Sequence, residues 1–314
     1  MPSWIDPQLA TLTRERFSDP EWIFERKLDG ERCLAFADPA GVRLMSRRQR
    51  DITGTFPEIA AALADQRRGD LVVDGEVVAF EGPQTRFGRL QQRLGVASPP
   101  AKLLAAVPVY FYVFDVMYAG ARDTRPLPQA ERKKLLAGLL AFRDPLRFTQ
   151  DRERDGEAFF AQACRDGWEG LIAKRADAPY QGGRSRDWLK FKCENAQELV
   201  IGGYTDPQRS RAGFGALLLG HYDAGDLVYA GKVGTGFSNA TLLSLHAALA
   251  RLEQDHSAFS RGRLPRHGVH WVRPELVAQV GFTEWTQDGE LRHPRFLGLR
   301  DDKKATDVVR EVPA

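Results

Sequence analysis

Three cysteines in 314 residues, Cys33, Cys164 and Cys193, are too few and too scattered for a disulfide framework or a CxxC metal site. All three are therefore expected as reduced thiols. No apolar run approaches roughly 18 residues, which excludes a membrane-spanning helix. The opening Met1-Pro-Ser-Trp-Ile-Asp6 lacks the basic start and apolar stretch of a secretory signal, so a cytoplasmic location is expected. The six histidines form no HExxH and no i, i+4 pair, and His267-Gly-Val-His270 by itself reads as a surface loop rather than a zinc site. An excess of one charge is missing too: 45 Lys and Arg stand against 42 Asp and Glu, which permits nucleic-acid binding without demanding it. Internal repeats and low-complexity segments are absent, so organisation has to be read from periodicity and punctuation.

What is present describes an ordinary globular composition, 43% hydrophobic with a mean hydropathy of -0.39, and enough chain for two cores. The first two-thirds mixes strands with helices. Trp22 to Lys27 alternates, Ala35 to Ser46 reads as a hairpin around Asp38-Pro-Ala-Gly41, and Leu71 to Phe80 and Val107 to Tyr118 are strand-like. Helical patterns fall at Phe56 to Gln66, Gln129 to Ala141 and Gly156 to Asp166. An antiparallel-rich α+β domain follows from that mixture. After Trp188-Leu-Lys-Phe-Lys192 the texture changes to short strands, Glu198 to Tyr204, Gly213 to Tyr222, Leu227 to Lys232, Val269 to Arg273 and Leu276 to Trp285. One helix interrupts them, Asn239 to Leu252, with Ser238 as its N-cap. About five strands and an interposed helix fit an OB-fold barrel. The boundary is expected near residue 195, giving domains 1–195 and 196–314. From 196 onward fourteen basic and fourteen acidic residues cancel, so any DNA-binding face must be local.

The segment richest in chemistry is Phe24-Glu25-Arg-Lys27-Leu-Asp29-Gly30-Glu-Arg32. A lysine ending an alternating strand before an Asp-Gly turn is, in isolation, a surface residue beside a hairpin. Its functional reading is an amine nucleophile for phosphorus, with Arg32 supplying a rigid fork for phosphate. Such an amine must be deprotonated, by desolvation and neighbouring cations. Lys190 and Lys192 qualify as those cations, because period-two alternation puts both on one strand face. Carboxylates in Asp74-Gly75-Glu76 and Glu169-Gly170-x-x-x-Lys174 are hard oxygen donors suited to magnesium. Gly231-Lys232-Val-Gly-Thr-Gly236 fails as a P-loop, because Asp226 occupies the leading glycine position and Val233 follows the lysine.

Lys27-x-Asp29-Gly30-x-Arg32 is followed in order by Ser46-Arg47, Asp74-Gly75-Glu76, Phe114-Asp115, Glu169-Gly170-x-x-x-Lys174, Lys190-x-Lys192 and Arg300-x-Asp302-Lys303. That succession resembles the covalent nucleotidyltransferase superfamily of ATP-dependent DNA ligases, RNA ligases and mRNA capping enzymes. The flanking Pro7-Gln-Leu-Ala-Thr-Leu12, Phe282-Thr-Glu-Trp285 and Leu291 to Lys303 are similar to the ligase module of bacterial ligase D, the end-joining enzyme that works with Ku. The polymerase and phosphoesterase modules that usually accompany it have no counterpart in these residues, so the resemblance is to the ligase module alone, as a stand-alone paralogue or an excised fragment.

The resemblance implies a nucleotidyltransferase domain, ATP-grasp-like and antiparallel-rich, followed by an OB-fold barrel. It implies that Lys27 attacks the α-phosphorus of ATP, that Phe114 stacks on adenine and that Glu25 lies beside the base and reads it through its backbone. Glu76 would face the ribose or a metal and Glu169 would hold Mg2+, with Mn2+ an alternative. Arg32 and Arg47 would bind phosphate or, after the first step, the nick termini, Lys190 and Lys192 the α-phosphate, and Asp29 would orient the lysine and later support the step at the nick. From the second domain Arg295, Arg300 and Lys303 would face the pyrophosphate as the OB domain closes, before a hinge near Cys193 to Gln197 swings it away. Arg209 and Arg211 are further candidates for the DNA backbone. Nicked duplex DNA is the implied substrate, Ku a partner, and the protein a nucleoid-associated bacterial monomer with no membrane contact. The rivals are an RNA ligase or a GTP-using capping enzyme, an NAD-dependent ligase, which would carry a four-cysteine zinc module, and a catalytically silent nucleic-acid-binding module.

Overall fold

A computed structural model describes residues 2–66, 69–193, 195–207 and 212–312. The chain forms two compact units, one ending at Cys193 and the other beginning beyond it and running to Val312. Among the described residues no helix is long and apolar enough to cross a membrane.

The first unit holds two principal sheets. One runs in the order Gln8–Leu12, Gly183–Lys192, Gly170–Arg175, Trp22–Lys27, Asp151–Glu153. The other runs Gly41–Ser46, Glu31–Asp38, Leu71–Glu81, Val109–Ala119, Arg122–Asp123, and Leu146–Phe148 adds to it in parallel. Pairing is otherwise antiparallel except where Gln8–Leu12 lies parallel to Gly183–Lys192. The second sheet buries both faces. Cys33, Ala35, Val73, Val77, Val113 and Val116 enter the largest core, beneath the helices Pro57–Ala64 and Gln129–Leu139. Leu34, Phe36, Val72, Phe114 and Met117 pack against Tyr180 and Trp188 of the first sheet's side. The functional side chains sit beside that second layer.

A buried ion pair stitches the layers together. Arg132 and Asp115 are both fully buried, joined at 2.8 and 3.0 Å, and Arg132 also donates to Gln129 and to the carbonyls of Leu127 and Ala178. With its donors so used, the guanidinium can tolerate burial that an isolated charge could not.

The cysteine expectation is corrected here. Cys164 and Cys193 form a disulfide, while Cys33 is a buried free thiol. Helix Gly156–Arg165 packs on the first sheet through Phe159 and Ala163, so its last turn lies beside the end of strand Gly183–Lys192. The turn between them is pinned from both sides, by Gly167 N–H to Cys164 O and Cys193 N–H to Glu169 O. Separation along the chain carried no trace of that meeting.

In the second unit the long strand Asn195–Thr205 is the hub. Leu217–Asp223 pairs along one edge, and Val277–Phe282 followed by Val269–Val272 along the other, with Asp226–Val233 and Arg295–Leu299 outside them. This is the OB-fold. Helix Asn239–Ala250 starts at Ser238, whose hydroxyl accepts from Thr241 N–H, and it buries Leu242, Leu245 and Leu249 in the barrel core. The expected continuous strand Leu276 to Trp285 is broken at Thr283, and Glu284–Trp285 instead pairs with Leu291–Arg292. Strand Arg295–Leu299 had not been anticipated.

Candidate active site

Register explains how the first sheet gathers its cations. Lys27 stands opposite Gly170, which stands opposite Lys192; Glu25, Ile172 and Lys190 form the next row, and Ile23, Lys174 and Trp188 the one after. Directly opposed residues share a face. Lys27, Glu25, Lys174, Trp188, Lys190 and Lys192 therefore project to one side, while Phe24, Leu171, Ala173 and Phe191 fill the core on the other. Gly170 is required in its row. Its φ is +147° and an added Cβ would fall 1.8 Å from Phe191 O, so only glycine lets the three strands approach beside Lys27.

Lys27 Nζ lies 2.5 Å from Glu169 Oε2, and the lysine side chain is only 19% exposed. Burial pulls the ammonium's pKa down, but the charge and hydrogen bond of Glu169, with the charges of Asp29 and Glu76, outweigh burial and leave it raised. Three carboxylates thus act on one amine. Asp29 also fixes the turn after the lysine, since its Oδ2 accepts from Phe87 N–H and its own N–H donates to Thr85 Oγ1. At Gly30 a Cβ would meet Val77 O at 2.2 Å, which accounts for the Asp-Gly pair.

The second sheet contributes Arg32, opposite Glu76, with Asp74 two positions along on the same face. Arg32 grips Asp74 bidentately, Nε to Oδ1 at 2.5 Å and Nη2 to Oδ2 at 2.6 Å, and its guanidinium lies 4.8 Å from the Phe114 ring centroid. Phe114 meets Trp188 edge-on. Around this aromatic pair the two sheets therefore bring together Glu25, Lys174, Arg32 and Phe114. Arg47 lies in the turn closing strand Gly41–Ser46.

Glu25 carries a constellation that sequence reasoning missed. Its carboxylate, 2% exposed, binds Lys133 through one oxygen and Lys174 at 2.8 Å through the other, and Lys133 also donates to Thr149 O. Burial lowers the pKa of Lys174, whose ammonium sits 4.4 Å from the Phe114 ring and 4.2 Å from that of Trp188. Lys133 comes from helix Gln129–Leu139, outside every motif, so no local signal marks it. Asp74, expected with Glu76 among the hard oxygen donors, is bonded instead to Arg32.

Arg295, Arg300 and Lys303 belong to the second unit. Arg300 grips Asp302 with two 2.7 Å bonds, Lys303 lies 3.3 Å from Glu198, and Arg295 opens strand Arg295–Leu299. Asp302 is buried, which would raise its pKa, but Arg300 and Lys303 hold it below the usual carboxylate range. Arg209 and Arg211 lie outside the described residues.

Glu169 and Glu76, whose charges both act on Lys27, are carboxylates, the hard oxygen donors that magnesium accepts together with substrate phosphates; among the described residues no cluster of three or more His, Cys, Asp or Glu side chains gathers as a metal site. Two carboxylates with phosphate oxygens from a bound nucleotide are the donor chemistry magnesium takes. Chemically, the site joins a half-buried amine to cations able to stabilise a phosphoryl group in transfer.

Comparison with known proteins gives the family. Residues 7–192 match the family described as ATP dependent DNA ligase domain, and residues 210–303 that described as ATP dependent DNA ligase C terminal region. The chain is 38% identical over 322 residues to the multifunctional non-homologous end joining protein LigD of Pseudomonas aeruginosa, covering 100% of this chain and 37% of that one. It is 39% identical over 313 residues to the corresponding LigD of Mycobacterium tuberculosis, covering 98% and 40%. It thus spans about two-fifths of the length of these relatives. Among solved structures, mycobacterial DNA ligase D complexed with ATP and MES superposes with a TM-score of 0.71 at 37% identity, covering 98% of each chain.

Proposed function

The chain belongs to the ATP-dependent DNA ligase family, and on that premise we propose that it seals 5′-phosphate/3′-hydroxyl nicks in duplex DNA. The observation that carries the reading is Lys27, half-buried on one sheet face with Lys190 and Lys192 and ion-paired to Glu169. Lys27 Nζ, once deprotonated, forms a bond to the α-phosphorus of ATP as pyrophosphate departs, leaving a lysyl-AMP phosphoramidate. AMP then passes to the nick 5′-phosphate, and the 3′-hydroxyl displaces it to close the backbone. Lys190 and Lys192 neutralise the moving phosphate, Phe114 holds the adenine, Glu25 borders the base, and Arg32 and Arg47 bind phosphate. A magnesium ion held by Glu169 and Glu76 would add charge neutralisation at the phosphates. Residues 1–195 form the adenylation domain. Residues 196–314 bring Arg295, Arg300 and Lys303 to the leaving pyrophosphate. The relatives are named for non-homologous end joining, and we propose that this ligase serves that process with Ku as its partner; DNA bound through its phosphates makes sealing strongly salt-dependent.

Intact mass after separate incubation with ATP, GTP and NAD plus magnesium tests the reading, in native protein and in Lys27→Ala. One AMP gained from ATP alone, absent from the variant and removed by pyrophosphate, is the expected result. A guanylate adduct would move the chain to capping chemistry. No adduct in protein first cleared with pyrophosphate would overturn the mechanism.

A further inference from the structure

Gln8, in the Pro7 to Leu12 stretch whose sequence stood out without a role, is fully buried and spends its backbone and side-chain polar groups across both sheets. Its N–H donates to Tyr180 Oη at 2.9 Å and its carbonyl accepts from Arg32 Nη2 at 3.1 Å. Its side chain donates to Ser185 Oγ at 3.0 Å and accepts from Gln181 N–H at 3.0 Å. Tyr180, 5% exposed, donates its hydroxyl to Asp74 Oδ2 at 2.7 Å, and its own N–H is anchored on Arg125 O at 2.8 Å. Asp74 Oδ2 is one of the two oxygens that grip Arg32. Asp74 and Gln8 therefore hold one edge of the Arg32 guanidinium directly, and Tyr180 ties the two together. The Nε and Nη2 groups are consumed by Asp74 and Gln8, and Nη1 has no hydrogen-bond partner among the described residues. A guanidinium whose one edge is clamped presents its other edge in a fixed direction, which is what bidentate recognition of a phosphate needs.

We propose that Tyr180 is a positioning residue for DNA joining: with Gln8 it locks Asp74, and through Asp74 it aims the remaining edge of Arg32 at the terminal 5′-phosphate of the nick. This rests on the reading of Arg32 as a phosphate ligand. Asp74 has two oxygens and three donors upon it. Removing the tyrosine hydroxyl would leave Oδ2 held by Arg32 alone and the buried Gln8 N–H without an acceptor, so the clamp slackens without loss of the aromatic ring. The ring itself packs edge-on against Trp188, and Tyr180→Phe preserves that contact.

The test uses the full chain charged with AMP and held without divalent metal, so that sealing cannot proceed. Its binding is compared on a nicked duplex bearing a 5′-phosphate and on the same duplex bearing a 5′-hydroxyl. The ratio of the two affinities is the readout, and only folded, AMP-charged protein contributes to it. Arg32→Ala is expected to bring the ratio to near one, and Tyr180→Phe to cut it about tenfold. AMP charging, which involves no nick phosphate, should fall less than the ratio does. The double variant should match Arg32→Ala alone, because Tyr180 acts through the arginine. A wild-type ratio in Tyr180→Phe beside a collapsed ratio in Arg32→Ala would overturn the positioning role, as would a double variant that loses further. An undiminished ratio in Arg32→Ala would instead remove Arg32 from the phosphate, and the proposal with it.

Discussion

Lys27 Nζ and Glu169 Oε2 stand 2.5 Å apart, so in the ligand-free protein the amine proposed as nucleophile is held as an ammonium. Burial alone would favour the neutral amine; Glu169, supported by Asp29 and Glu76, reverses that and raises the pKa. Only the deprotonated amine can attack phosphorus. Under subsaturating ATP, which reports the free protein, the rate of AMP charging should climb with pH from about pH 6 to about pH 9. Glu169→Gln should move the rise to lower pH while reducing the maximal rate. A flat profile in the native protein would remove the ion pair from the mechanism. For folding the sign is opposite. With the folded pKa above the unfolded one, the pair's stabilisation is complete below the unfolded lysine value of about 10.4 and is lost as pH rises through the folded value.

Lys133→Met should separate the two halves of the reaction. It leaves the buried Glu25 carboxylate with Lys174 as its remaining close cation and loosens the strand beside the adenine position. The KM for ATP is expected to rise about tenfold, while sealing of a nick already carrying AMP proceeds at the native rate. Equal losses in both assays would mark a general folding defect.

Arg132 and Asp115 make a stability prediction. Arg132→Met strands a fully buried carboxylate and should cost about 3–5 kcal/mol by urea denaturation. Asp115→Leu combined with Arg132→Met should recover part of that loss, since no unpaired charge remains. Additive losses would contradict the pairing.

Thiol titration of the denatured protein reads the cystine directly. One reactive thiol, Cys33, is expected without reductant and three with it. Cys193→Ser should lower stability by about 2–4 kcal/mol. Three thiols in non-reduced protein would mean the cystine is not formed.

Much of this was legible because period and chemistry coincide. Alternation placed Lys190 and Lys192 on one face, the Asp-Gly turn marked the end of the Lys27 strand, and Ser238 announced its helix. Where the sequence fell silent, the partners lie far apart along the chain. Lys133, Tyr180 and Gln8 look like an ordinary helix lysine, a loop aromatic and a strand residue, and they gain meaning only from the pairing of strands that no local pattern encodes. The Cys164–Cys193 pair was misread for the same reason. Strand Arg295–Leu299 is marked in the sequence only by alternating Phe296 and Gly298, both buried, a pattern too short to stand out beside its arginine.

The parallel pairing of Gln8–Leu12 with Gly183–Lys192 also sets an order of assembly. On the ribosome the edge strand emerges long before its partner, which is the last strand of the first unit. Until residues 185–192 have emerged, Gln8 cannot meet Ser185 and the sheet face that carries Lys27 lacks Lys190 and Lys192. Folding of this unit therefore closes late, through contacts of high sequence separation, and the strand stays unpaired while the rest of the unit is made.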